Sequence, residues 1–295
     1  MTFGTVAILG PGLIGGSLAL ALAERGLADK LVIYARSARA LDTIRTAGVD
    51  AELTGNPSEA VREADVVVLC VPIEAMAALV HEIRDALKPT ALVTDVGSVK
   101  GSVDRDLAPL LEDRALWIGS HPMAGSEQAG FTAARADLFI GAAVVVTPTK
   151  LTQPEAERRA KQFWEAVGAK LFVYEPERHD LLIAQISHLP HLLAAALVNQ
   201  SSEEARELAG GGFRDTTRIA SGSPQLWTEI LSANASATVD ALDVLIRDLQ
   251  IVRTALRLPD NSAAKLTLLM TLNDAQKARL LLLEKEKKSP LNKRS

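Results

Sequence analysis

The sequence predicts an α/β Rossmann-type dinucleotide-binding domain over residues 1–176, followed by an all-helical dimerisation domain over 177–284. Three observations predict it. Short β-type runs alternate with helical stretches through the first half, the pattern of βαβ units building a mostly parallel sheet covered on both faces. A glycine-rich turn, Gly10-Pro11-Gly12-Leu13-Ile14-Gly15, joins the first of these strands to the first helix. Beyond Pro176 the strand-like runs cease, and apolar residues recur at helical spacing, as in Leu242, Leu245, Ile246, Leu249 and Val252.

In order, 5–9 reads as a strand and 13–25 as a helix, and 31–34 with 38–47 repeats the pair. The apolar run 66–71 is a strand followed by a helix over 74–87; 91–95 is a strand followed by a helix over 101–111. Residues 116–119 and 142–147 read as strands, 155–167 as a helix and 170–174 as the last strand. In the second half Gly210, Gly211 and Gly212 mark a helix end or a break between helices. The polar, basic tail 285–295, with Pro290, is expected to be disordered.

Composition narrows the function classes. The 295 residues suffice for two domains with a real core, and 48% hydrophobic with 23% charged is ordinary for a soluble protein. A net charge of −4 gives no reason to expect nucleic acid or an anionic membrane as partner, and 4% aromatics leaves little for a base-stacking surface. The first ten residues lack the features of a signal peptide, and no apolar run reaches the ~20 residues of a membrane span. A cytoplasmic protein is expected. The one cysteine, Cys70, excludes an internal disulfide and reads as a buried strand position. Long apolar helices in a modest second domain call for a covering partner, so a homodimer through these helices is expected.

The glycine turn has the G-x-G-x-x-G form in the setting that gives it weight, after a strand and opening a helix. Gly10 allows the tight turn, Gly12 admits a pyrophosphate close to the backbone, and Gly15 lets the helix approach the strand. The helix start at Leu13 and Ile14 attracts the phosphate charge. After the second strand an NAD enzyme usually carries a carboxylate for the ribose 2′-hydroxyl. Here Ala35 stands instead, followed by Arg36, Ser37 and Arg39. Guanidinium and hydroxyl donors without a repelling carboxylate suit a 2′-phosphate, so NADP is preferred over NAD. These arginines also fit a solvated helix start.

Two further strand ends, Val71-Pro72 and Asp95-Val96-Gly97-Ser98-Val99-Lys100, lie at the side of a parallel sheet where such folds bind ligands. Val71, Pro72 and Ser98 are therefore expected beside the cofactor. The run Ser120-His121-Pro122-Met123-Ala124-Gly125-Ser126-Glu127 then supplies a histidine after the next strand. A dinucleotide site followed by such a histidine suggests hydride transfer with the imidazole as general base.

These segments resemble the prephenate/arogenate dehydrogenase family of tyrosine biosynthesis. The resemblance covers nearly the whole chain. It rests on 10–17, 95–100 and 121–127, on Gly130-Phe131 and Leu138-Phe139-Ile140-Gly141, and in the helical half on Ile186-Ser187-His188-Leu189-Pro190-His191, Gly212-Phe213-Arg214-Asp215-Thr216-Thr217-Arg218 and Trp227. It implies oxidative decarboxylation of a cyclohexadienol, giving 4-hydroxyphenylpyruvate from prephenate or tyrosine from arogenate. By the resemblance, His121 accepts the hydroxyl proton, and Ser98 hydrogen-bonds the histidine or the substrate hydroxyl. Arg218 binds a carboxylate, and Ser187 and His191 lie near the substrate side chain. Ser187 and His191 are four residues apart and share a helical face, whereas His188 sits off it and is expected in a structural or cofactor contact. Asp215 is expected to hold Arg218 or close a gate, and Trp227 to wall the pocket, reaching in from a partner subunit or packing as a core residue. Glu127 fits pairing with the ammonium of arogenate, capping of the next segment, or gating; prephenate is favoured, with both substrates admissible. The chain has no length for a regulatory domain, so tyrosine inhibition is expected to be competitive.

Rival readings are a 3-hydroxyacid-type NADP dehydrogenase, disfavoured because 187–199 lacks a lysine, and a non-catalytic NADP-binding redox sensor. A metal site at His179, His188 and His191 lacks the H-E-x-x-H spacing, and no metal is expected.

Overall fold

The structure, a computed structural model, describes residues 2–125, 128 and 130–288. The chain divides into two compact units, Met1–Ala235 and Ser236–Ser295.

In the first unit, β1 (Thr5–Leu9), β2 (Lys30–Tyr34), β3 (Glu52–Thr54), β4 (Val66–Leu69), β5 (Leu92–Asp95) and β6 (Leu116–Trp117) form one parallel sheet in the order β3-β2-β1-β4-β5-β6. The order reverses between β1 and β4, which is where open α/β sheets leave a crevice for ligands. Helices α1 (Leu13–Glu24), α2 (Ala38–Thr46), α3 (Pro57–Val61), α4 (Ile73–Ile83) and α5 (Gly101–Leu111) connect the strands. Strand alternation divides the core between the two faces: Val6 and Ile8 join Leu18, Leu22, Phe163 and Trp164, while Ala7 and Leu9 join Leu79, Ile83 and Leu107. The sequence reading missed β3 and α3, because three and five residues are too few to establish a period. Cys70 falls just past β4 and is half-buried; burial pushes its thiol pKa up, the state of an inert thiol.

A second sheet holds β7 (Gly119–Pro122), β8 (Ala143–Thr147) and β9 (Lys170–Val173), with β7 antiparallel and β9 parallel to β8. This corrects the expectation that His121 follows a strand over 116–119. The chain leaves the parallel sheet after Trp117, and His121 lies inside β7 opposite Val145. The cause is a buried charge pair: Asp95 Oδ1 accepts the Ser120 N–H (3.0 Å) and Lys100 Nζ donates to the Ser120 carbonyl (2.9 Å), which pins the backbone as it changes sheets.

Helix α6 (Pro154–Ala166) precedes β9. Beyond Pro176 the described residues form no strand. Helix α7 (Pro176–Ile183), a π turn (Ala184–His188) and α8 (Leu189–Gln200) form one rod, followed by α9 (Glu203–Glu207), α10 (Gly211–Thr217), a 3-10 turn (Arg218–Ser221) and α11 (Pro224–Ala233). The glycine run does separate two helices. Helix α7 packs on α5 and β8, and α11 on α4, so the first compact unit extends past Pro176 to Ala235. The rod Pro176–Gln200 is apolar enough by length and composition to cross a bilayer, although it holds no uninterrupted apolar run of that length. Its His179, Asp180, His188 and His191 are buried within the first unit, as in a core helix.

The second unit holds α12 (Ala235–Leu256), from Ser236 onward, and α13 (Ser262–Lys288). Asn261 Oδ1 caps α13 by accepting the N–H groups of Ala263 and Ala264. Residues 285–288 continue this helix rather than beginning a disordered tail; 289–295 lie outside the described residues. Val239, Leu249, Ile251, Leu266, Leu269, Met270 and Leu272 are all exposed on these two helices.

Candidate active site

The turn between β1 and α1 has the geometry that a bound dinucleotide phosphate requires. Gly10 has φ +111°, open to glycine at little cost. A Cβ on Gly15 would lie 2.2 Å from the Gly10 carbonyl oxygen, so close helix–strand packing requires glycine there. A Cβ on Gly12 would meet nothing within 4 Å, which leaves the space above the turn open to a ligand. No side chain caps α1, whose N-terminus begins at Leu13 and Ile14. These features fit a nicotinamide dinucleotide. Val71 and Pro72 follow β4 next to this turn, and Gly10 approaches Val71 directly. Past β2, Ala35 is buried and Arg36 exposed. The Ser37 hydroxyl caps α2 by accepting the Ala40 N–H (3.2 Å). Arg39 lines a groove with Leu20, Asp42, Thr43 and Phe131.

A separate cavity of about 480 Å³ lies in the first unit. Its lining includes Ser98, His121 and Pro122 from the strand-bearing half of the chain and Ser187, His188, His191, Arg218 and Trp227 from the helical half. The structure thus gathers six residues given catalytic or substrate roles in the sequence: Ser98, His121, Ser187, His191, Arg218 and Trp227. Asp215 is exposed on α10 and does not line the cavity. Glu127 lies outside the described residues.

His188 lines the cavity as well, against the expectation that it points off the Ser187–His191 face. Pro190 would clash with the Ile186 carbonyl in a regular helix. A π turn lies ahead of it, where the Leu189 N–H reaches the Ala184 carbonyl, and His188, three residues before His191, shares that residue's side of the helix. Asn234 Nδ2 lies 3.1 Å from His188 Nδ1 and donates to the Asp180 carbonyl (2.9 Å). Burial, which outweighs the opposing pull of Asp180, holds the His188 pKa down at about 4, with His179 adding to the lowering. Trp227 stacks on His191 of the same chain, ring centroids 3.6 Å apart and planes 14° apart, so its place in the wall needs no partner subunit. His191 Nδ1 is buried with no hydrogen-bond partner among the described residues.

His121 is buried in β7. Its Nδ1 lies 2.8 Å from His179 Nε2, and His179 Nδ1 lies 2.7 Å from Asp180 Oδ1. Ser98 makes no hydrogen bond to His121 among the described residues; His179 takes that place. With both nitrogens of His179 engaged, no lone pair is left there for a metal. Burial first, then unfavourable electrostatics with His179, Lys100 and His188, push the His121 pKa well below the usual histidine range. A neutral imidazole beside a dinucleotide site can accept a proton as a hydride departs. Sequence reasoning considered His179 only as a metal ligand and passed over Asp180. The available signal was a His-Asp pair in the first turns of a helix, too common to stand out.

Behind β7 a fully buried ion pair joins Lys100 Nζ and Asp95 Oδ2. Gly97 N–H also donates to Asp95 Oδ2 (2.8 Å), Trp164 Nε1 donates to Ser120 Oγ (3.0 Å), and Thr94 Oγ1 bonds Ser120 Oγ (2.7 Å). This network fixes the segments that carry Ser98 and His121.

Two family models match the chain: the prephenate dehydrogenase nucleotide-binding domain over 18–173 and the prephenate dehydrogenase dimerization domain over 175–272. The chain belongs to the prephenate dehydrogenase family. It is 36% identical to the cyclohexadienyl dehydrogenase of Zymomonas mobilis, over 95% of this chain and 96% of that one. It is 34% identical to the prephenate dehydrogenase of Bacillus subtilis, over 85% and 69%. Among solved structures, A. aeolicus prephenate dehydrogenase in complex with hydroxyphenyl propionate and NAD+ matches with TM-score 0.87 at 29% identity, over 96% and 99% of the two chains. Synechocystis arogenate dehydrogenase matches with TM-score 0.80 at 31% identity, over 93% and 99%. The chain is an oxidoreductase with a nicotinamide dinucleotide cofactor. A 3-hydroxyisobutyrate dehydrogenase from Mycobacterium tuberculosis shares the fold alone, at 18% identity and TM-score 0.53.

Proposed function

We propose that this enzyme oxidatively decarboxylates prephenate to 4-hydroxyphenylpyruvate, and accepts arogenate as the related substrate. The observation that carries the reading is the shared cavity, whose lining brings His121 and Ser98 together with Ser187, His191 and Arg218. When bound, the nicotinamide supplies the acceptor for the hydride that leaves C4 of the ring. His121 takes the C4 hydroxyl proton as that carbon becomes a carbonyl. Loss of CO₂ from C1 delivers an electron pair to the ring, and His121 returns the proton to the phenolic oxygen. Aromatisation drives the step, so no metal is required. Arg218 holds a substrate carboxylate through its planar guanidinium, with Asp215 and Glu127 as gating or pairing candidates. Ser187 and His191 contact the side chain of the substrate, and Trp227 walls it.

The cofactor preference is for NADP. Ala35 removes the usual carboxylate, and exposed Arg36 with Ser37 and Arg39 supplies donors for a 2′-phosphate. The assembly is a homodimer through the helical half, supported by the exposed apolar faces of α12 and α13 and by the name of the matched domain. The assignment of 1–176 to cofactor and 177–284 to substrate and dimerisation follows the same reading, as does a cytoplasmic location.

The test is nicotinamide reduction in four mixtures, prephenate or arogenate with NADP+ or NAD+, for the native enzyme and His121→Asn. Reduction with prephenate and NADP+, abolished in His121→Asn while NADP binding persists, is expected. Reduction with NAD+ alone overturns the cofactor preference, and reduction with arogenate alone overturns the substrate preference. No reduction in any mixture overturns the reaction.

A further inference from the structure

We propose that His179 and Asp180 are positioning residues that hold His121 in a single tautomer, with its Nε2 lone pair facing the cavity. The inference rests on the reading of His121 as the general base.

The donor accounting runs outward from Asp180. Its Oδ1 accepts the Lys100 N–H and its Oδ2 the Gly101 N–H, each at 2.8 Å. Both oxygens therefore act as acceptors at the N-terminus of α5, where the helix dipole also favours negative charge. His179 Nδ1, 2.7 Å from Oδ1, must carry the proton and donate it. His179 is 1% exposed, and burial ahead of the opposing Asp180 contact lowers its pKa, which keeps it neutral. Its Nε2 then presents a lone pair. His121 Nδ1, 2.8 Å away, is left to donate. A neutral His121 with its proton on Nδ1 has none on Nε2, the nitrogen left for the cavity. The alternative tautomer would set two lone pairs against each other in a buried site, at the cost of an unmade hydrogen bond.

The arrangement serves the transition state too. When Nε2 takes the substrate proton, the imidazolium keeps its Nδ1–H bond to His179, and the Asp180 carboxylate lies one ring further on. The charge is stabilised with no proton leaving Nδ1. Asp180 also holds Lys100 and Gly101, which directly follow the Ser98 turn, so one carboxylate fixes both the base and the segment bearing the serine.

The free enzyme is labelled with 15N-histidine, and His121 is assigned by its loss in His121→Asn. The expected spectrum shows a protonated Nδ1 and an unprotonated Nε2 for His121 near neutral pH. A proton on Nε2, or an even mixture, overturns the proposal, and this readout needs neither turnover nor a folded His179 variant. In kinetics, His179→Leu is expected to lower kcat about a hundredfold with KM within about threefold. His179→Gln, whose amide oxygen can accept from Nδ1–H, is expected to recover at least about tenfold of that loss. Equal impairment of the two variants at equal Tm overturns the proposal. Full turnover by His121→Asn would instead overturn the assignment of the base itself, whatever the tautomer.

Discussion

The indole of Trp227 lies flat on the imidazole of His191, 3.6 Å between ring centroids, and Gly222 makes the stack possible. A Cβ at Gly222 would stand 2.6 Å from Trp227 Nε1 and 3.2 Å from His191 Cε1. The backbone there, φ −61° and ψ 157°, suits any residue, so a substitution acts through the clash alone. Gly222→Ala is expected to raise KM for the cyclohexadienol several-fold with a smaller change in kcat. The accompanying loss of stability is about 1–3 kcal/mol, the usual cost of overpacking. Steady-state kinetics and urea unfolding check it; an unchanged KM would count against a substrate-facing role for the stack.

The two glycines of the phosphate turn should separate fold from ligand. Gly12→Ala places its methyl in open space, so Tm stays at the native value while dinucleotide affinity falls at least about tenfold, the methyl occupying the close approach that a pyrophosphate needs. Gly15→Ala sets its methyl 2.2 Å from the Gly10 oxygen and is expected to lower both Tm and affinity. Thermal melts with and without NADP distinguish them.

The Lys100–Asp95 pair is buried to 1% and 0% exposure. Removing one partner strands the other charge, a loss of about 3–5 kcal/mol. Asp95→Asn is therefore expected to unfold at markedly lower urea than the native enzyme. Because Asp95 also accepts the Ser120 N–H, catalysis should suffer in the fraction that remains folded. A variant as stable as the native protein would show that the pair is dispensable.

Stability should decline on mild acidification. His121, His179 and His188 have folded pKa values below the reference 6.5, His188 at about 4, chiefly through burial. Between those values and about 6.5 the unfolded chain binds more protons than the native one, so stability is complete above that range and falls as pH drops through it. Tm is expected to fall between about pH 7 and pH 5. His188→Gln, which titrates nothing, should flatten part of the decline; a native Tm constant over that range would contradict the shifts.

The site was legible in the sequence wherever a residue type in a local pattern implies chemistry by itself. The glycine turn and His121 belong to such patterns, whereas the roles of Ser98, Ser187, His191, Arg218 and Trp227 were implied by the resemblance to the family. His179 and Asp180 were not legible, because their meaning depends on a partner 58 positions away from His179. His188 makes the structural contact expected of it, with Asn234, but it also lines the cavity, because a residue three before His191 shares its side of the helix, as one four before it does.

By itself, then, the sequence determined the alternation of strands and helices, the conformational freedom at Gly10 and the absence of strands among the described residues past Pro176. These follow from periodicity and from backbone sterics, which are local. Only the tertiary structure decided that the chain changes sheets between Trp117 and Gly119, that β7 holds His121 within reach of His179, and that Asp180 closes the line. Each of these depends on burying charged and polar groups with their partners satisfied, a condition set by segments that meet only once the chain has folded.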